Sequence, residues 1–424
     1  GKAPAEAGEP DDPIARGKQR WVKAVGSSPV ASYTLTKVAW VAENEPENAR
    51  KIAAICLPHD WLSWRIAGYG PVAEGEDAHL EALFTDRSDA SGTIYYDAAS
   101  SEYRRDLIAM VLEAAEGAEA AQSHAEAIVL PTVLGPRDAA PVKADPAIAG
   151  KNVEGGCLLA PGGGDNAMAS LGLGMAVGDV SISLGTSGVA AAISENPTYD
   201  LTGAVSGFAD CTGHYLPLAC TINGSRILDA GRAALGVDYD ELAKLAFASK
   251  PGANGITLVP YFDGERTPNR PNATATFSGM TLANTTRENL ARAFVEGLLC
   301  SQRDCLELIR SLGASITRIL LIGGGAKSEA IRTLAPSILG MDVTRPPPTN
   351  TWPSARPARP PGCCPAKPSL RHGNSPSTAW RPANRPKPYT KPTPRPAADP
   401  SPQEFRHRAG KLPNNGASRP YADS

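Results

Sequence analysis

Two neighbouring stretches, Ala160-Pro-Gly-Gly-Gly-Asp-Asn-Ala167 and Asp179-Val-Ser-Ile-Ser-Leu-Gly-Thr-Ser-Gly-Val-Ala190, decide the fold and the function predicted for this chain. In the first stretch, three glycines interrupt an apolar run and present a carboxylate, Asp165, and an amide, Asn166. The small and apolar residues that follow predict a helix from Ala167 to about Val177. We therefore expect Asp165 at the mouth of a strand-to-helix turn.

The second stretch predicts a β-hairpin with an anion-binding turn. Two β-type runs flank Gly185, Thr186 and Ser187. Glycine allows the backbone N–H groups of such a tight turn to converge on an anion. Taken alone, either stretch could be an ordinary turn. Together they supply what a phosphoryl transfer from a nucleotide to an alcohol needs, which is a poised carboxylate near a phosphate-sized turn.

A third element, Arg318-Ile-Leu-Leu-Ile-Gly-Gly-Gly-Ala-Lys-Ser-Glu-Ala330, predicts a nucleotide-binding turn. Its aliphatic run is typical of a central parallel strand. The glycines admit a ligand against the backbone, and Ser328 is placed to cap a helix whose N-terminus favours an anion.

These motifs resemble those of the FGGY carbohydrate kinases of the actin-like superfamily. The sequence Gly-Gly-Gly-Asp-Asn-Ala and the hairpin at Gly185 occur in the order typical of that family. Four residues of the predicted helix near residue 34 are spaced similarly to one family signature: Thr34, Lys37, Trp40 and Glu43. The segment Ala275–Met280, with Asn289 and Phe294 beyond it, is similar to the second signature. The resemblance covers residues 20 to 345.

The resemblance implies an α/β, actin-like (ribonuclease H-like) ATPase fold with two lobes and a cleft, both lobes incomplete. It implies ATP and Mg²⁺ as cofactors, with Asp165 as general base and Asn166 as a sugar contact. D-xylulose is the expected substrate, although another sugar or polyol stays open. The family's nucleotide loops correspond to Gly185, Thr186, Ser187, Gly323, Gly324, Gly325, Ala326 and Ser328. No residue of this chain is assigned to the metal.

Composition divides the chain into four expected parts. Residues 1–19 lack periodicity and predict a disordered lead-in. The resemblance implies that residues 20–177 are the remnant of the sugar domain and that residues 178–345 are an incomplete nucleotide domain. Residues 346–424 form a Pro/Arg-rich tail that cannot build a core. We hypothesise that residues after about 348 are translated out of frame, the alternative being a genuine Pro-rich linker.

The family's first phosphate loop, Asp-x-Gly-Thr, has no counterpart before Ser32. A non-catalytic, nucleotide-binding remnant therefore stays open beside an active kinase.

Charge and cysteine content exclude other classes. The net charge of −2 gives no reason to expect nucleic acid or an acidic membrane as a partner. Six of the eight cysteines are scattered among apolar neighbours and two, Cys363 and Cys364, are adjacent in the tail, and no pair has zinc-type spacing. We expect a cytoplasmic protein that binds a small sugar, and the resemblance to the family implies a homodimer as one possible state.

Several polar residues outside these motifs are given ordinary structural roles. Asp60 is expected to cap a helix, and a catalytic role for His59 or Asp60 is the less favoured alternative. Thr34 is a plausible helix cap as well. Asp86 and Ser91 belong to a turn rich in hydroxyl and carboxylate groups, and local hydrogen bonds account for this composition without a ligand. In the family that the chain resembles, a similar segment lies near the sugar pocket. We leave all of them out of the candidate site.

Overall fold

The computed structural model describes residues 4–73 and 75–346. The tail that we predicted beyond residue 346 lies outside these residues. The helices are α1 Pro13–Val25, α2 Thr34–Asn44, α3 Pro46–Ala49, α4 Pro58–Ile66, α5 Arg87–Ser91, α6 Arg105–Glu116, α7 Ala118–Ala127, α8 Asp165–Gly172, α9 Arg226–Leu235, α10 Tyr239–Ala248, α11 Arg287–Ser311 and α12 Glu329–Leu339. The strands are β1 Phe84–Asp86, β2 Tyr96–Asp97, β3 Glu102–Tyr103, β4 Thr132–Leu134, β5 Asp179–Leu184, β6 Gly188–Ala192, β7 Val205–Ala209, β8 Tyr215–Thr221, β9 Thr257–Val259, β10 Thr276–Ser278, β11 Arg318–Ile322 and β12 Val343–Thr344.

A six-stranded sheet organises the second half of the described chain. Its strand order is β12-β11-β5-β6-β8-β7. Strands β5, β11 and β12 run parallel, whereas β5, β6, β8 and β7 pair antiparallel. Because β5 and β11 are parallel neighbours, their carboxyl ends open at the same edge of the sheet, where ligands bind in such folds.

Both faces of this sheet are covered, which explains the continuous apolar runs of its strands. On one face, Ile182 and Leu321 join the large apolar core that α9, α10, α11 and α12 complete. On the other face, Leu218 and Leu320 pack with Ala167 of α8. Side chains alternate between the faces of a strand, so α8 lies on the face opposite α11.

The first half is mostly helical around a separate apolar core. Residues from α2, α6 and α7 pack together there, with Leu35, Ile108 and Leu112 almost completely buried. Two small sheets accompany them, with β1 parallel to β4 and β2 antiparallel to β3. None of the helices among the described residues is both long enough and apolar enough to span a membrane.

The expected disordered lead-in is wrong from Pro13 onward, where α1 begins. The Asp12 carboxylate accepts a hydrogen bond from the Ala15 amide, and Pro13 occupies the first helical turn, where its missing N–H costs little. Val22 and Val25 are buried. The sequence pattern missed α1 because its apolar positions are few and the cap was not recognised.

Helices α6 and α7 are separated by Gly117, which has a φ of 81°. The expected roles of Thr34 and Asp60 as helix caps are corrected. Thr34 does not cap α2: Tyr33 is the N-cap residue and makes no side-chain cap. Asp60 is not the N-cap residue of α4, because the helix begins at Pro58 after Leu57. From the third position of the helix, its carboxylate accepts a hydrogen bond from the Leu57 amide at 2.7 Å.

Candidate active site

Asp165 is the first residue of α8 and is exposed to solvent. Its carboxylate accepts hydrogen bonds from the backbone amide of Asn166 at 2.7 Å and from the Asn166 side chain at 2.8 Å. An accessible carboxylate at a helix N-terminus can take up a proton from a ligand while the helix dipole favours its charge.

The local structure before Asp165 differs from the expectation. Residues 159–164 form no strand, and Leu158 makes only an isolated bridge to Lys143. The helix also ends at Gly172, before the expected Val177. Gly162 has a φ of 93°, so the turn depends on a backbone conformation that glycine adopts freely.

The predicted hairpin turn is present between β5 and β6. The Gly185 amide donates to the Ser187 carbonyl at 3.0 Å, while Thr186 and Ser187 are exposed. The turn therefore presents hydroxyls and backbone to solvent at the carboxyl end of β5.

The glycine turn after β11 packs directly against the end of β5. Gly323 has a φ of 88°, and a Cβ there would lie 2.7 Å from the Leu184 carbonyl oxygen. A Cβ on Gly325 would lie 2.9 Å from the Leu184 Cβ. Ser328 is the N-cap residue of α12, although its hydroxyl makes no cap hydrogen bond. The two predicted nucleotide elements are thus neighbours.

A third turn, Gly224-Ser225, lies beside the hairpin turn and the Gly323 turn. The sequence analysis did not identify it. The Gly224 amide donates to the Thr186 carbonyl at 3.0 Å, and the Ser225 amide donates to the Gly185 carbonyl at 2.7 Å. A Cβ on Gly224 would lie 2.5 Å from the Ser187 carbonyl carbon. The signal was available, because Tyr215–Thr221 followed by Ile-Asn-Gly-Ser reads as a strand, a turn and the start of a helix, α9.

A buried carboxylate stabilises the segment that leads into the Gly224-Ser225 turn. Glu265 is 1% exposed, and its carboxylate accepts hydrogen bonds from the amides of Ile222 at 2.6 Å and Arg266 at 2.7 Å. The Asn223 side chain donates to the same carboxylate at 3.0 Å. Glu265 therefore acts on the turn before α9 through the backbone.

A cluster of four ionisable side chains lies beside the turn that precedes Asp165: His59, Asp60, Asp86 and Asp89. His59 Nδ1 is 2.6 Å from Asp60 Oδ1 and 3.4 Å from Asp89 Oδ2, and His59 Nε2 is 3.7 Å from Asp86 Oδ1. We call this group the charge cluster.

The charge cluster shifts the pKa values of its members. Burial would lower the pKa of His59, but the carboxylates of Asp60 and Asp86 raise it to about 10. Burial raises the pKa of Asp89 to about 6, against the opposing effect of His59. His59 is therefore a cation at neutral pH.

Two segments of the chain match the two domains of one protein family. Residues 15–172 match the N-terminal domain of the FGGY family of carbohydrate kinases, and residues 180–352 match its C-terminal domain. The chain belongs to the FGGY family. The resemblance seen in the motifs is confirmed, as is the α/β, actin-like ATPase fold class.

Among FGGY proteins, this chain is similar to several xylulose kinases. It is 37% identical to the xylulose kinase of Streptomyces coelicolor over 331 residues, 78% of this chain and 61% of that protein. It is 33% identical to the xylulose kinase of Haemophilus influenzae over 317 residues, 73% of this chain and 59% of that protein. The chain thus spans about three fifths of the length of these relatives.

Solved structures give the same picture. The crystal structure of xylulose kinase from Bifidobacterium adolescentis is 96% identical, with a TM-score of 0.80, and the match covers 82% of this chain and 69% of that one. Gluconate kinase from Lactobacillus acidophilus shares the fold at 19% identity, with a TM-score of 0.63, over 77% of this chain and 62% of that one.

FGGY kinases generally need a divalent cation, so we tested which described side chains could hold one. Two groups of side chains within residues 4–73 and 75–346 have potential ligand atoms within 4.8 Å of one another: His59 with Asp86 and Asp89, and Asp77 with His79 and Glu81. Mg²⁺ prefers six oxygen ligands. Both groups include an imidazole, and that of His59 is protonated, so neither fits Mg²⁺.

The structure thus brings the hairpin, the Gly323 turn and Gly224-Ser225 into direct contact at one edge of the sheet. Asp165 and Asn166 are linked to them through the packing of α8 on the same sheet. The roles of these residues in binding and catalysis stay predictions.

Proposed function

We propose that this chain phosphorylates a hydroxyl of D-xylulose with ATP, complexed to Mg²⁺, to give D-xylulose 5-phosphate. The observation that carries the proposal is the meeting of three glycine-containing turns at the carboxyl ends of β5, β8 and β11, with the exposed carboxylate of Asp165 on a helix packed against that sheet. The similarity to xylulose kinases supports the choice of sugar. A cytoplasmic location, where ATP is available, belongs to the same proposal.

In the proposed reaction, Asp165 acts as the general base. Its carboxylate takes the proton of the sugar hydroxyl as that oxygen forms a bond to the γ-phosphorus of ATP. The bond from the γ-phosphorus to the β,γ-bridging oxygen breaks, and ADP leaves. A positioned base of this kind typically contributes about 10²–10⁴-fold to the rate. The Asn166 amide, which already donates to Asp165, holds the carboxylate in one orientation.

The glycine turns bind the nucleotide in this proposal. Gly323, Gly324, Gly325, Ala326 and Ser328 contact the adenosine and the α-phosphate, and Gly185, Thr186 and Ser187 contact the outer phosphates. Helices α12 and α9 begin directly after two of these turns, and the partial positive charge of a helix N-terminus favours phosphate. Gly224, which the sequence analysis did not identify, packs against the hairpin turn and donates its amide to the Thr186 carbonyl.

The proposal is tested with the purified chain by coupled ADP release and by thermal shift. We expect ADP release that depends on both D-xylulose and Mg²⁺-ATP, and a melting temperature raised by each ligand. Asp165→Asn is expected to lower kcat by about 10²–10⁴-fold with KM for ATP little changed.

Asn166→Ala is the comparison variant, since it keeps the carboxylate, and its loss of kcat is expected to be smaller. Stabilisation by ATP without xylulose-dependent turnover would contradict the kinase proposal and favour a nucleotide-binding remnant. Stronger turnover with gluconate or another polyol would contradict the choice of sugar.

A further inference from the structure

The charge cluster has no role in the reaction described above, yet it lies against the turn that carries Asp165. A Cβ on Gly162 would lie 2.6 Å from His59 Cδ2, so the imidazole ring packs on the backbone of that turn. A Cβ on Gly164 would lie 3.3 Å from Asp89 Oδ1. The cluster therefore forms the support beneath the residues just before the proposed base.

A chain of polar contacts joins this support to the turn. The Gly164 amide donates to Ser88 Oγ at 2.9 Å, and the Ser88 hydroxyl donates to Asp86 Oδ2 at 2.5 Å. Asp86 is 4% exposed, and its other oxygen accepts a hydrogen bond from the Asp89 amide at 3.0 Å. The same oxygen lies 3.7 Å from His59 Nε2, an ion-pair contact rather than a hydrogen bond. Gly164 is the N-cap residue of α8, immediately before Asp165. The chain thus ends on the backbone next to the carboxylate.

Electrostatics explain why a cation is needed in the middle of this cluster. Asp60 and Asp86 are both almost completely buried, and uncompensated carboxylates at such positions would be strongly unfavourable. The positive charge of His59 helps to hold the pKa of Asp86 below its usual value, in spite of burial. The titratable groups that face the cluster from the packed elements are Asp60 of α4, Asp86 and Asp89 of the β1–α5 segment, Asp165 of α8, and Cys211 and Asp210 after β7.

We propose that His59 is a positioning residue for Asp165: its imidazolium holds the Asp86 carboxylate, which holds the Ser88 hydroxyl, which in turn holds the Gly164 amide. The proposal rests on the proposed function in so far as Asp165 is the base. The positioning itself is a property of the protein without ligands. His59 touches neither the sugar nor the nucleotide in this account.

The first test is amide hydrogen exchange on the full chain without ligands. We expect exchange of the amides of residues 162–164 to be at least about fivefold faster in Ser88→Ala and in His59→Gln. Exchange within α11 should stay unchanged.

Ser337→Ala and His79→Gln are the matched controls, because the Ser337 hydroxyl donates only within α12 and His79 is half exposed among carboxylates. Unchanged exchange at residues 162–164 in either test variant would overturn the proposal, because each variant removes one link between His59 and the Gly164 amide. An equal increase throughout α11 would overturn it as well. Should His59→Gln fail to fold, unchanged exchange in Ser88→Ala still overturns the proposal.

The second test separates positioning from general stability by kinetics. If Asp165 is misplaced, kcat with D-xylulose should fall about tenfold in Ser88→Ala and His59→Gln, while KM for ATP stays within twofold because the nucleotide turns are formed by other elements. A parallel change of kcat and KM for ATP would contradict positioning. If the unaltered chain does not phosphorylate xylulose but its turn still loosens in both variants, the proposed function fails and the positioning proposal stands.

Discussion

The nucleotide side of the candidate site is made mainly of backbone, whereas the support of Asp165 is made of charged side chains. Three turns, at Gly185, Gly224 and Gly323, meet because glycine tolerates close approach and positive φ. The charge cluster instead depends on His59 and three carboxylates that come from separate segments of the chain. The glycine turns can be recognised from the local sequence, whereas the charge cluster can hardly be recognised from it.

This difference predicts that the nucleotide side is most sensitive to an added methyl group. Gly323→Ala forces a left-handed conformation on alanine, at about 1–2 kcal/mol, and pushes a Cβ into the backbone of Leu184, at about 1–3 kcal/mol. We expect the free energy of unfolding to fall by roughly 2–5 kcal/mol. Urea denaturation measures this change.

Gly324→Ala is the matched control, since its φ is −64° and no atom lies within 4 Å of the added Cβ. Its unfolding free energy should stay within about 0.5 kcal/mol of the unaltered chain. Equal stability of Gly323→Ala and Gly324→Ala would show that the Gly323 turn is not closely packed against the end of β5. If Gly324→Ala leaves the thermal shift by ATP unchanged, this glycine does not face the nucleotide.

The charge cluster should respond to pH. The pKa of His59 is about 10 in the folded chain against 6.5 when unfolded, so its contribution to stability is complete below pH 6.5 and is lost as the pH rises through 10. His59→Gln is therefore expected to lower the melting temperature at pH 6 and to have less effect near pH 10.

Melting curves of the two proteins between pH 5 and pH 10 measure this difference. His79→Gln serves as the control, because its imidazole is half exposed and its removal should give no such trend. A constant difference between His59→Gln and the unaltered chain across this range would show that His59 is not held as a cation.

The smallest effect is expected at the opposite edge of the sheet. Arg318 Nε donates to Asp179 Oδ1 at 2.8 Å, at the start of β11 and β5, away from the nucleotide turns. Because the arginine side chain is 45% exposed, solvent screens this ion pair, and Arg318→Gln should leave the free energy of unfolding almost unchanged. KM for ATP and kcat should not change, and a loss of activity would show that this edge is coupled to the site.

Sequence reasoning predicted the elements whose pattern is strong and local. The hairpin at Gly185 and the parallel strand and glycine turn at 318–326 both appear where the pattern placed them. Sequence reasoning was wrong where the local backbone structure depends on contacts with residues distant in the chain. No strand precedes Gly162, since that segment packs on His59 and Cys211 instead of pairing in a sheet.

The candidate site shows the same division. Asp165 and the two glycine motifs were identified from their residues, whereas Gly224 was not. Gly224 belongs to the site because β8 lies next to β6 in the sheet, which brings the start of α9 against the hairpin. Strand order is a tertiary property that a turn of ordinary composition does not reveal.

The sequence alone carried the motifs that resemble the FGGY family, and its apolar periodicity and glycine placement indicated the α/β class and the candidate turns, because these are local properties of the chain. Only the tertiary structure decided that His59 lies among three carboxylates and that their hydrogen bonds end on the amide before Asp165. Residues 59, 86 and 164 are far apart in the chain, and the energy of a buried charge depends on neighbours that folding alone brings together.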